Sequence, residues 1–231
     1  MLSGLIAKLS SLLLAPCCLL CAGHGHSGLD LCIECSAALP WNRDACRQCG
    51  LPLSADSDHC GQCQLSPPPF TLTQSAFRYA FPVDRLLPRF KFHGDLAAGA
   101  LLAALMQWSL DPAERPSLLI PVPLHCSRLR QRGYDQALEL ARILARESGL
   151  PVSANRLLRR RATQAQTELG ASARERNVRG AFALRPGPAL PAHVALVDDV
   201  MTTGATLAEC ANVLLAAGVQ RVDVWTVARA I

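Results

Sequence analysis

The chain has 231 residues, half of them apolar, which allows one large domain or a medium domain with a small one. Its net charge of +5, from 23 Lys and Arg against 18 Asp and Glu, is too small to indicate nucleic-acid binding by itself. Eleven cysteines are a high count, and eight of them form four Cys-x-x-Cys pairs before Ser66. This spacing favours metal sites in a reducing compartment over the disulfide framework of a small secreted protein.

The first fifteen residues are mostly apolar and carry one charge, at Lys8. A secretory signal peptide carries its charge ahead of the apolar run and ends in a cleavage site of small residues. Here Lys8 divides the run, Pro16 follows it, and the stretch is too short to span a bilayer. We therefore expect residues 1–15 to form an amphipathic helix that packs on the protein, with a membrane-surface anchor as the alternative. No stable membrane insertion is expected, and the predicted location is the cytoplasm.

The four cysteine pairs lie in residues 16–66, which we expect to form a zinc-binding domain. Two thiolates at this spacing bind one face of a zinc ion, and a second pair completes the tetrahedron. Eight ligands imply two Zn²⁺ ions, both structural, because closed four-thiolate sites leave no position for a substrate. Pairing neighbours along the chain gives Cys18, Cys21, Cys32 and Cys35 for one ion, and Cys46, Cys49, Cys60 and Cys63 for the other.

Alternatives remain open in this region. Interleaved pairs would also give two four-thiolate sites, although the resemblance of the segment to double zinc ribbons favours neighbouring pairs. Cys17 could replace Cys18, and we prefer Cys18 because its Cys-x-x-Cys spacing repeats that of the other pairs. Iron–sulfur binding and disulfides are less favoured. His24, His26 and His59 lie nearby, but a four-cysteine site is complete without them.

The composition changes at residues 66–69, where three prolines stiffen a predicted linker of residues 67–75. In residues 76–231, apolar periodicity predicts, in chain order, a helix at 96–108 with Asp95 as N-cap, a strand at 118–122, a helix at 136–148, a strand at 194–197, a helix at 206–217 and a strand at 222–227. Strands that alternate with helices predict an α/β fold with a mostly parallel sheet and flanking helices. Ligands of such sheets bind beyond the carboxyl ends of the strands.

Residues 194–207 carry the strongest functional signal. A buried strand delivers Asp198 and Asp199 to a sheet edge, a short turn of Thr and Gly follows, and a helix begins. Gly204 allows a tight turn and a close approach of ligand, while consecutive amides and the helix N-terminus form an anion site. We expect a phosphate in this turn and a polyol beside the two acids. The alternative is a plain strand–turn–helix with two capping Asp residues. The turn consists of Thr202, Thr203, Gly204, Ala205 and Thr206.

The segment resembles the 5-phosphoribosyl-1-pyrophosphate (PRPP) motif of type I phosphoribosyltransferases, which has four apolar residues, two acids and then Thr-Thr-Gly-x-Thr. The resemblance implies that Asp198 and Asp199 contact the ribose hydroxyls of PRPP, and that residues 202–206 hold its 5′-phosphate. It also implies that Mg²⁺ accompanies PRPP and bridges the pyrophosphate and ribose oxygens.

Further segments extend the likeness over almost the whole chain. They are residues 90–95 (FKFHGD), 121–124 (PVPL), 128–136 (RLRQRGYDQ), 161–166 (RATQAQ), 174–177 (RERN) and 181–182 (AF). With the cysteine pairs, they resemble the ComF family of competence-associated proteins, which combine a zinc ribbon region with a type I phosphoribosyltransferase-like domain. Tyr134-Asp135 departs from the more usual Phe-Asn, which puts a role for Asp135 in doubt.

The resemblance implies roles for three basic segments. The loop after Pro121-Val122-Pro123 grips pyrophosphate in type I enzymes, so its arginines are the expected leaving-group ligands, with a solvated helix start as the alternative. These arginines are Arg128, Arg130 and Arg132. Residues 159–177 resemble the mobile loop that closes over PRPP and excludes water, unless they form a surface loop that touches nothing. Lys91 either meets a phosphate or extends to solvent from the end of an element.

Two hypotheses for function follow. In the first, the protein is an enzyme that transfers phosphoribose from PRPP to an unidentified acceptor and releases pyrophosphate. In the second, it handles single-stranded DNA or acts as a regulator, and its loop is a phosphate or sensor site without catalysis. ComF-family members are linked to DNA uptake, so the competence machinery is a candidate partner. Aromatic residues make up only 5% of the chain, so platforms for base stacking are scarce.

Overall fold

The computed structural model describes residues 15–54, 57–162 and 177–231. Residues 1–14 of the predicted N-terminal helix and residues 163–176 of the predicted closing loop lie outside this part. The chain divides into two compact units, one ending at Leu39 and the other running from Pro40 to Ile231. Within the described ranges, no helix is long and apolar enough to cross a membrane. The domain bounds expected at residues 66 and 76 stay a prediction.

The first unit is built from short turns. Its main element is helix α1, Ile33–Ala37. Hydrogen bonds between near neighbours fold the preceding segment, including one from the Cys18 N–H to the Gly23 carbonyl at 2.7 Å. Apart from cysteines, the buried apolar side chains among its described residues are Leu31 and Leu39. The core that these two side chains form is too small to hold the turns in place. We therefore expect bound metal to supply much of the stability.

The second unit is organised around a four-stranded parallel sheet. Its strands are β1 (Leu72–Arg78), β2 (Leu119–Pro121), β5 (His193–Met201) and β6 (Arg221–Arg229), in the order β1-β6-β5-β2. Two short strands, β3 (Leu157–Arg159) and β4 (Phe182–Leu184), pair antiparallel beside it. The α/β fold with a mostly parallel sheet is confirmed. Strand β1 begins inside the segment expected to be a linker, and it is held there by pairing with β6 in the register Leu72↔Asp223.

Six helices complete the described part of this unit. They are α2 (Gly61–Leu65), α3 (Val83–His93), α4 (Leu96–Ser109), α5 (Cys126–Arg132), α6 (Gln136–Ser148) and α7 (Ala205–Ala216). The three predicted helices match α4, α6 and α7 to within one residue at each end. Local signals set these boundaries: Asp95 caps α4 by accepting from the Ala98 N–H at 3.0 Å, and Gly149 ends α6 in the left-handed conformation.

The helices cover both faces of the sheet. Helix α7 packs on one face, where Leu207 and Leu214 join a core with Val194 and Leu196 of β5. Helices α4 and α6 pack against each other and against the opposite face of the sheet. Side chains alternate along β5, so every second residue of the strand points to that face. Adjacent residues at the end of β5 therefore meet different surroundings.

Candidate functional site

The carboxyl end of β5 leads into an accessible turn. We call residues 202–206 the TTGAT loop; Thr203 is exposed, and Thr202, Ala205 and Thr206 are half-buried. Gly204 has a φ of +78°, and a Cβ there would lie 2.7 Å from Met201 Cε. The positive φ therefore favours glycine, whereas Met201 Cε, at the end of a flexible side chain, could move away from a Cβ. Gly204 is also the N-cap of α7, so the amides of its first turn lie beside the loop. This is the arrangement that the sequence predicted.

The two acids that precede the loop are held by the backbone. Oδ1 of Asp198 accepts from the Asp199 N–H at 2.8 Å, and Oδ1 of Asp199 accepts from the Val200 N–H at 2.8 Å. Because side chains alternate along a strand, the two carboxylates face different neighbours. Asp198 lies close enough to Cys210 of α7 to influence its pKa, while Asp199 meets α3.

Lys91, in the last turn of α3, forms an ion pair with Asp199. Its Nζ lies 2.5 Å from Oδ2 of Asp199, whose side chain is only 8% exposed. Burial alone would raise the pKa of Asp199, but the Lys91 ammonium outweighs it and holds this pKa below the usual value. Burial and the neighbouring Asp199 charge raise the pKa of Asp198 well above its usual value. Asp199 is thus ionised over a pH range in which Asp198 keeps its proton.

Of the three candidate arginines on α5, Arg132 lies close enough to Asp199 to be influenced by its charge, and Arg128 lies near Arg132. Arg128 and Arg132 are half-buried and four residues apart, on the same face of the helix. Burial lowers the pKa of Arg132, nearby Arg128 lowers it further, and the charge of Asp199 opposes both. The Arg132 guanidinium also lies over the Phe92 ring, 5.1 Å from its centroid. Arg130 is exposed and lies between them in sequence, on another face of the helix.

Gln136, which the sequence did not single out as a site residue, joins these groups. Its side chain is buried, its Oε1 accepts from Arg132 Nη1 at 2.9 Å, and its Nε2 donates to the Lys91 carbonyl at 3.4 Å. It therefore holds α3 and α5 at a fixed spacing. Asp135 has a structural role: it caps α6 through the Leu138 N–H at 3.2 Å and accepts from the Leu124 N–H at 3.0 Å.

Arg159, the last residue of β3, is a further basic residue that the sequence did not assign to the site. Its guanidinium lies over the Phe182 ring, 5.3 Å from the centroid. Burial lowers its pKa, as does Arg128, while Asp198 acts in the opposite direction. Arg159 thus lies near Asp198, and Arg128 lies near Arg159, although 31 positions separate the two arginines in the sequence. Lys91, Arg132 and Arg159 therefore approach the acids from α3, α5 and β3.

A separate cavity of about 560 Å³ runs along β1. Among the residues that line it are Trp41, Asn42, Arg43, Arg47 and Trp108, and neither the acids nor the TTGAT loop is among them. The Trp108 side chain is exposed. This cavity is therefore distinct from the site formed by Asp198, Asp199 and the TTGAT loop.

The eight paired cysteines form two groups of four, within which all Sγ atoms lie within 4.8 Å of one another. The first cysteine group is Cys18, Cys21, Cys32 and Cys35, and the second cysteine group is Cys46, Cys49, Cys60 and Cys63. Adjacent pairs approach to 3.7 Å between Cys21 and Cys32 and to 3.6 Å between Cys49 and Cys60. Tetrahedral zinc with Zn–S bonds of about 2.3 Å requires about 3.8 Å between sulfurs, so both groups fit a structural zinc ion.

Neighbouring cysteine pairs thus share a site, as expected, and Cys17 belongs to neither group. The Cys17 thiol instead donates to the Ala22 carbonyl at 3.5 Å. None of the eleven cysteines, all of which lie in the described ranges, forms a disulfide. His24, His26 and His59 are not members of either group in the described part of the chain.

Comparisons with known proteins agree with this arrangement. Residues 9–64 match a family model described as a double zinc ribbon domain. The chain is 38% identical to Competence protein F of Haemophilus influenzae over 160 residues, covering 66% of this chain and 70% of that protein. It is 34% identical to DNA utilization protein YhgH of Escherichia coli K12 over 211 residues, covering 89% and 92%. It is 25% identical to Competence protein ComFC of Streptococcus pneumoniae over 156 residues, covering 68% and 67%. These relatives, the two four-cysteine groups and the parallel sheet together show that the chain belongs to the ComF family of competence and DNA utilization proteins.

Proposed function

We propose that the chain binds PRPP at the carboxyl end of β5 and transfers its phosphoribose to an acceptor, with release of pyrophosphate. One observation carries the proposal: two acids lie near the carboxyl end of β5, an accessible TTGAT loop follows that strand, and cationic side chains of α3, α5 and β3 lie near the acids. The acids suit a polyol, the loop suits a phosphate and the cations suit a pyrophosphate. Few other small metabolites combine these three chemical groups.

The TTGAT loop binds the 5′-phosphate in this proposal. The first turn of α7 offers backbone N–H groups that lack partners within the helix, and the helix dipole favours an anion at this end. Thr202 and Thr203 add hydroxyl donors. Gly204 lets the phosphate approach the backbone, because a side chain at this position would be strained.

The acids orient the ribose. Each uses one carboxylate oxygen to accept a backbone N–H, which keeps the side chain in one orientation. In Asp198 the second oxygen is available to a ribose hydroxyl. In Asp199 that oxygen contacts Lys91, so sugar binding exchanges the ammonium for a hydroxyl. The displaced Lys91 then lies beside the pyrophosphate, where its charge is again balanced.

The cations stabilise the leaving group. The bond from ribose C1 to the pyrophosphate oxygen breaks, and its electron pair leaves with pyrophosphate. An electron pair of the acceptor forms the new bond to C1, and the acceptor proton passes to solvent. Lys91, Arg128 and Arg132 stabilise the negative charge that grows on pyrophosphate. Mg²⁺ fits this donor set, since it is commonly held by one or two carboxylates together with substrate phosphates, and it supplies further charge neutralisation when bound.

Calorimetric titration of zinc-loaded protein with PRPP and Mg²⁺ tests the proposal. We expect binding by the wild type and loss of binding in the double variant Asp198→Asn/Asp199→Asn. Glu147→Gln, which neutralises an exposed acid on α6, is the matched control and should bind normally. Absence of PRPP binding in the wild type, or equal binding by the double variant, would falsify the assignment. Release of pyrophosphate during an acceptor screen then tests catalysis separately from binding.

The cavity along β1 favours a second candidate function, the handling of single-stranded DNA. Two of the three tryptophans line it, at Trp41 and Trp108, together with Arg43 and Arg47. An indole can stack on any base, and arginines attract the phosphate backbone. Relatives are named competence and DNA utilization proteins, which is consistent with a DNA ligand.

Fluorescence anisotropy with a labelled oligothymidylate separates this candidate from the first. Loss of one stacking platform weakens single-strand binding by about tenfold or more. We expect that loss for Trp108→Ala, whereas Phe81→Ala, which removes an exposed aromatic ring away from the cavity, should change binding less than about twofold. Binding should fall steeply with salt and be indifferent to Asp198→Asn/Asp199→Asn. Equal losses in the two aromatic variants would reject the cavity as the DNA site.

A further inference from the structure

We infer that Arg229 is a positioning residue that couples the second cysteine group to the TTGAT loop, so that ligand binding at the loop depends on metal in that group. The ligand in this inference is that of the proposed function. The coupling itself rests on contacts within the larger compact unit.

Arg229 ends β6 and is 8% exposed. Its Nε donates to the carbonyl of Cys49 at 2.9 Å. Its Nη1 donates to the carbonyl of Met201 at 3.3 Å, and also to the carbonyls of Thr202 and Ala230. One buried guanidinium thus bonds to a cysteine of the second group and to the first residue of the TTGAT loop.

The contacts with Met201 and Thr202 determine where the loop amides point. In a planar trans peptide, the carbonyl of one residue and the N–H of the next point in opposite directions. The Met201 carbonyl accepts from the Ala230 N–H at 2.9 Å as well as from Arg229. Together with the contact between Arg229 and the Thr202 carbonyl, these bonds direct the N–H groups of Thr202 and Thr203 away from Arg229. These are donors that a phosphate in the loop would use, and their orientation is set before the ligand arrives.

The second cysteine group packs against the same sheet. Gly50 follows Cys49 with a φ of +66°, and a Cβ there would lie 2.9 Å from Thr73 Cγ2 of β1. Thr73 also donates through Oγ1 to the Gln48 carbonyl at 2.6 Å. The turn that carries Cys49 therefore lies directly against β1, and its position determines that of the Cys49 carbonyl.

Charge balance gives the metal a part in this arrangement. Four thiolates around Zn²⁺ carry two net negative charges, and the buried guanidinium compensates part of them. Loss of the metal would release the turn that holds the Cys49 carbonyl. Arg229 would then keep its contacts with the TTGAT loop but would lose its fixed contact with the Cys49 carbonyl.

The coupling between metal binding and ligand binding can be tested in the wild-type protein, because each must affect the other. If metal in the second cysteine group strengthens ligand binding at the loop, the ligand must strengthen metal retention by the same factor. Zinc loss from wild-type protein to a colorimetric chelator is measured with and without saturating PRPP and Mg²⁺, with Mg²⁺ alone as the blank. At equilibrium with the chelator, we expect PRPP to raise the affinity for one zinc ion by about tenfold and to leave the other unchanged.

Arg229→Lys keeps the charge and removes the planar fork that reaches several carbonyls at once. We expect it to retain two zinc ions, to weaken PRPP binding about tenfold and to abolish the protection of zinc by PRPP. Arg78→Lys is the matched control, because Arg78 is exposed, ends the neighbouring strand β1 and lies in register with Arg229. It should resemble the wild type in all three measurements.

Hydrogen exchange separates failure of this inference from failure of the proposed function. Amides of residues 202–206 should exchange about tenfold faster in Arg229→Lys, while α6 exchanges at the wild-type rate. Unchanged exchange in the loop, with two zinc ions retained, would overturn the inference whatever the ligand. Faster loop exchange together with a wild type that does not bind PRPP would reject PRPP as the ligand and leave the role of Arg229 supported.

Discussion

Replacing Lys91 with Met should destabilise the protein because it removes the cation that balances a buried carboxylate. The ammonium lies 2.5 Å from Asp199 Oδ2, and the two side chains are 29% and 8% exposed. Unit charges about 4 Å apart interact by about 4 kcal/mol at the effective dielectric constant typical near protein surfaces. Burying both groups offsets part of this energy, and Lys91 is partly solvated. We therefore expect a loss of about 2 kcal/mol in the free energy of unfolding at pH 7.5.

The loss should depend on pH in a defined direction. The pKa of Asp199 is lowered in the folded protein, so the pair contributes stability above the unfolded pKa and loses it as pH falls through the folded pKa. Without Lys91, burial, which is the largest influence on Asp199, raises its pKa. The folded variant then binds more protons than its unfolded chain, and its stability falls as pH rises. Lys91→Met should therefore cost more at pH 7.5 than at about pH 5.5.

Urea unfolding of four proteins measures the pair itself. They are the wild type, Lys91→Met, Asp199→Asn and the double variant, for which we expect a coupling energy of about 2 kcal/mol. Arg142→Met is the control, because the Arg142–Glu139 pair is nearly as short, 2.7 Å, but its arginine side chain is 57% exposed. That change should cost less than about 0.5 kcal/mol. A coupling energy below about 0.5 kcal/mol would refute the reasoning.

Three further predictions concern single side chains. Asp198→Asn should raise the free energy of unfolding by about 1 kcal/mol at pH 7.5. The pKa of Asp198 is raised in the folded protein, so wild-type stability falls as pH rises above the unfolded pKa, and the advantage of Asn in urea titrations should disappear at low pH. Cys60→Ser should lose one of two zinc ions by elemental analysis, while Cys17→Ser, outside both cysteine groups, keeps both. Arg132→Lys should weaken calorimetric PRPP binding about tenfold, and Arg130→Lys, on an exposed position of the same helix, less than about twofold.

In the proposed function, a ribose hydroxyl replaces the Lys91 ammonium at Asp199. This replacement connects the stability of the free protein with ligand binding. A variant that lacks Lys91 loses both the balance of charge in the free protein and a cation for pyrophosphate. Asp198 shows the opposite relation, since its ionised form is disfavoured in the fold although its carboxylate suits a ribose hydroxyl. Such a conflict between stability and chemistry is common where proteins bind charged ligands.

Local signals in the sequence predicted much of the fold. The helix at Gln136–Ser148 has an Asp before it and a Gly after it, and these capping residues act on neighbouring backbone groups. The turn at Gly204 needs a positive φ, which few residues other than glycine adopt, so the glycine in the sequence indicates where the turn lies. The Cys-x-x-Cys pairs carry their ligand spacing within four residues. In each case the interacting groups are close along the chain.

Some site features carried a signal that sequence reasoning did not use. Arg128 and Arg132 are spaced by one helical turn, and Arg130 is not in phase with them. The helical periodicity therefore distinguishes the two half-buried arginines from the exposed one. Strand alternation likewise indicates that Asp198 and Asp199 meet different partners, as the structure shows.

The amino-acid sequence alone determined the strand–turn–helix around the acids, the four Cys-x-x-Cys pairs and the parallel α/β class, because short-range geometry produces each of them. Only the tertiary structure decided that neighbouring cysteine pairs share a site, that Gln136 joins Lys91 to Arg132, that Arg159 approaches Asp198, and that the second cysteine group lies against β1. The Cys49–Arg229 contact spans 180 positions, and no pattern within either segment encodes its partner. Such contacts depend on how the sheet and its surrounding turns pack, which is a property of the whole chain.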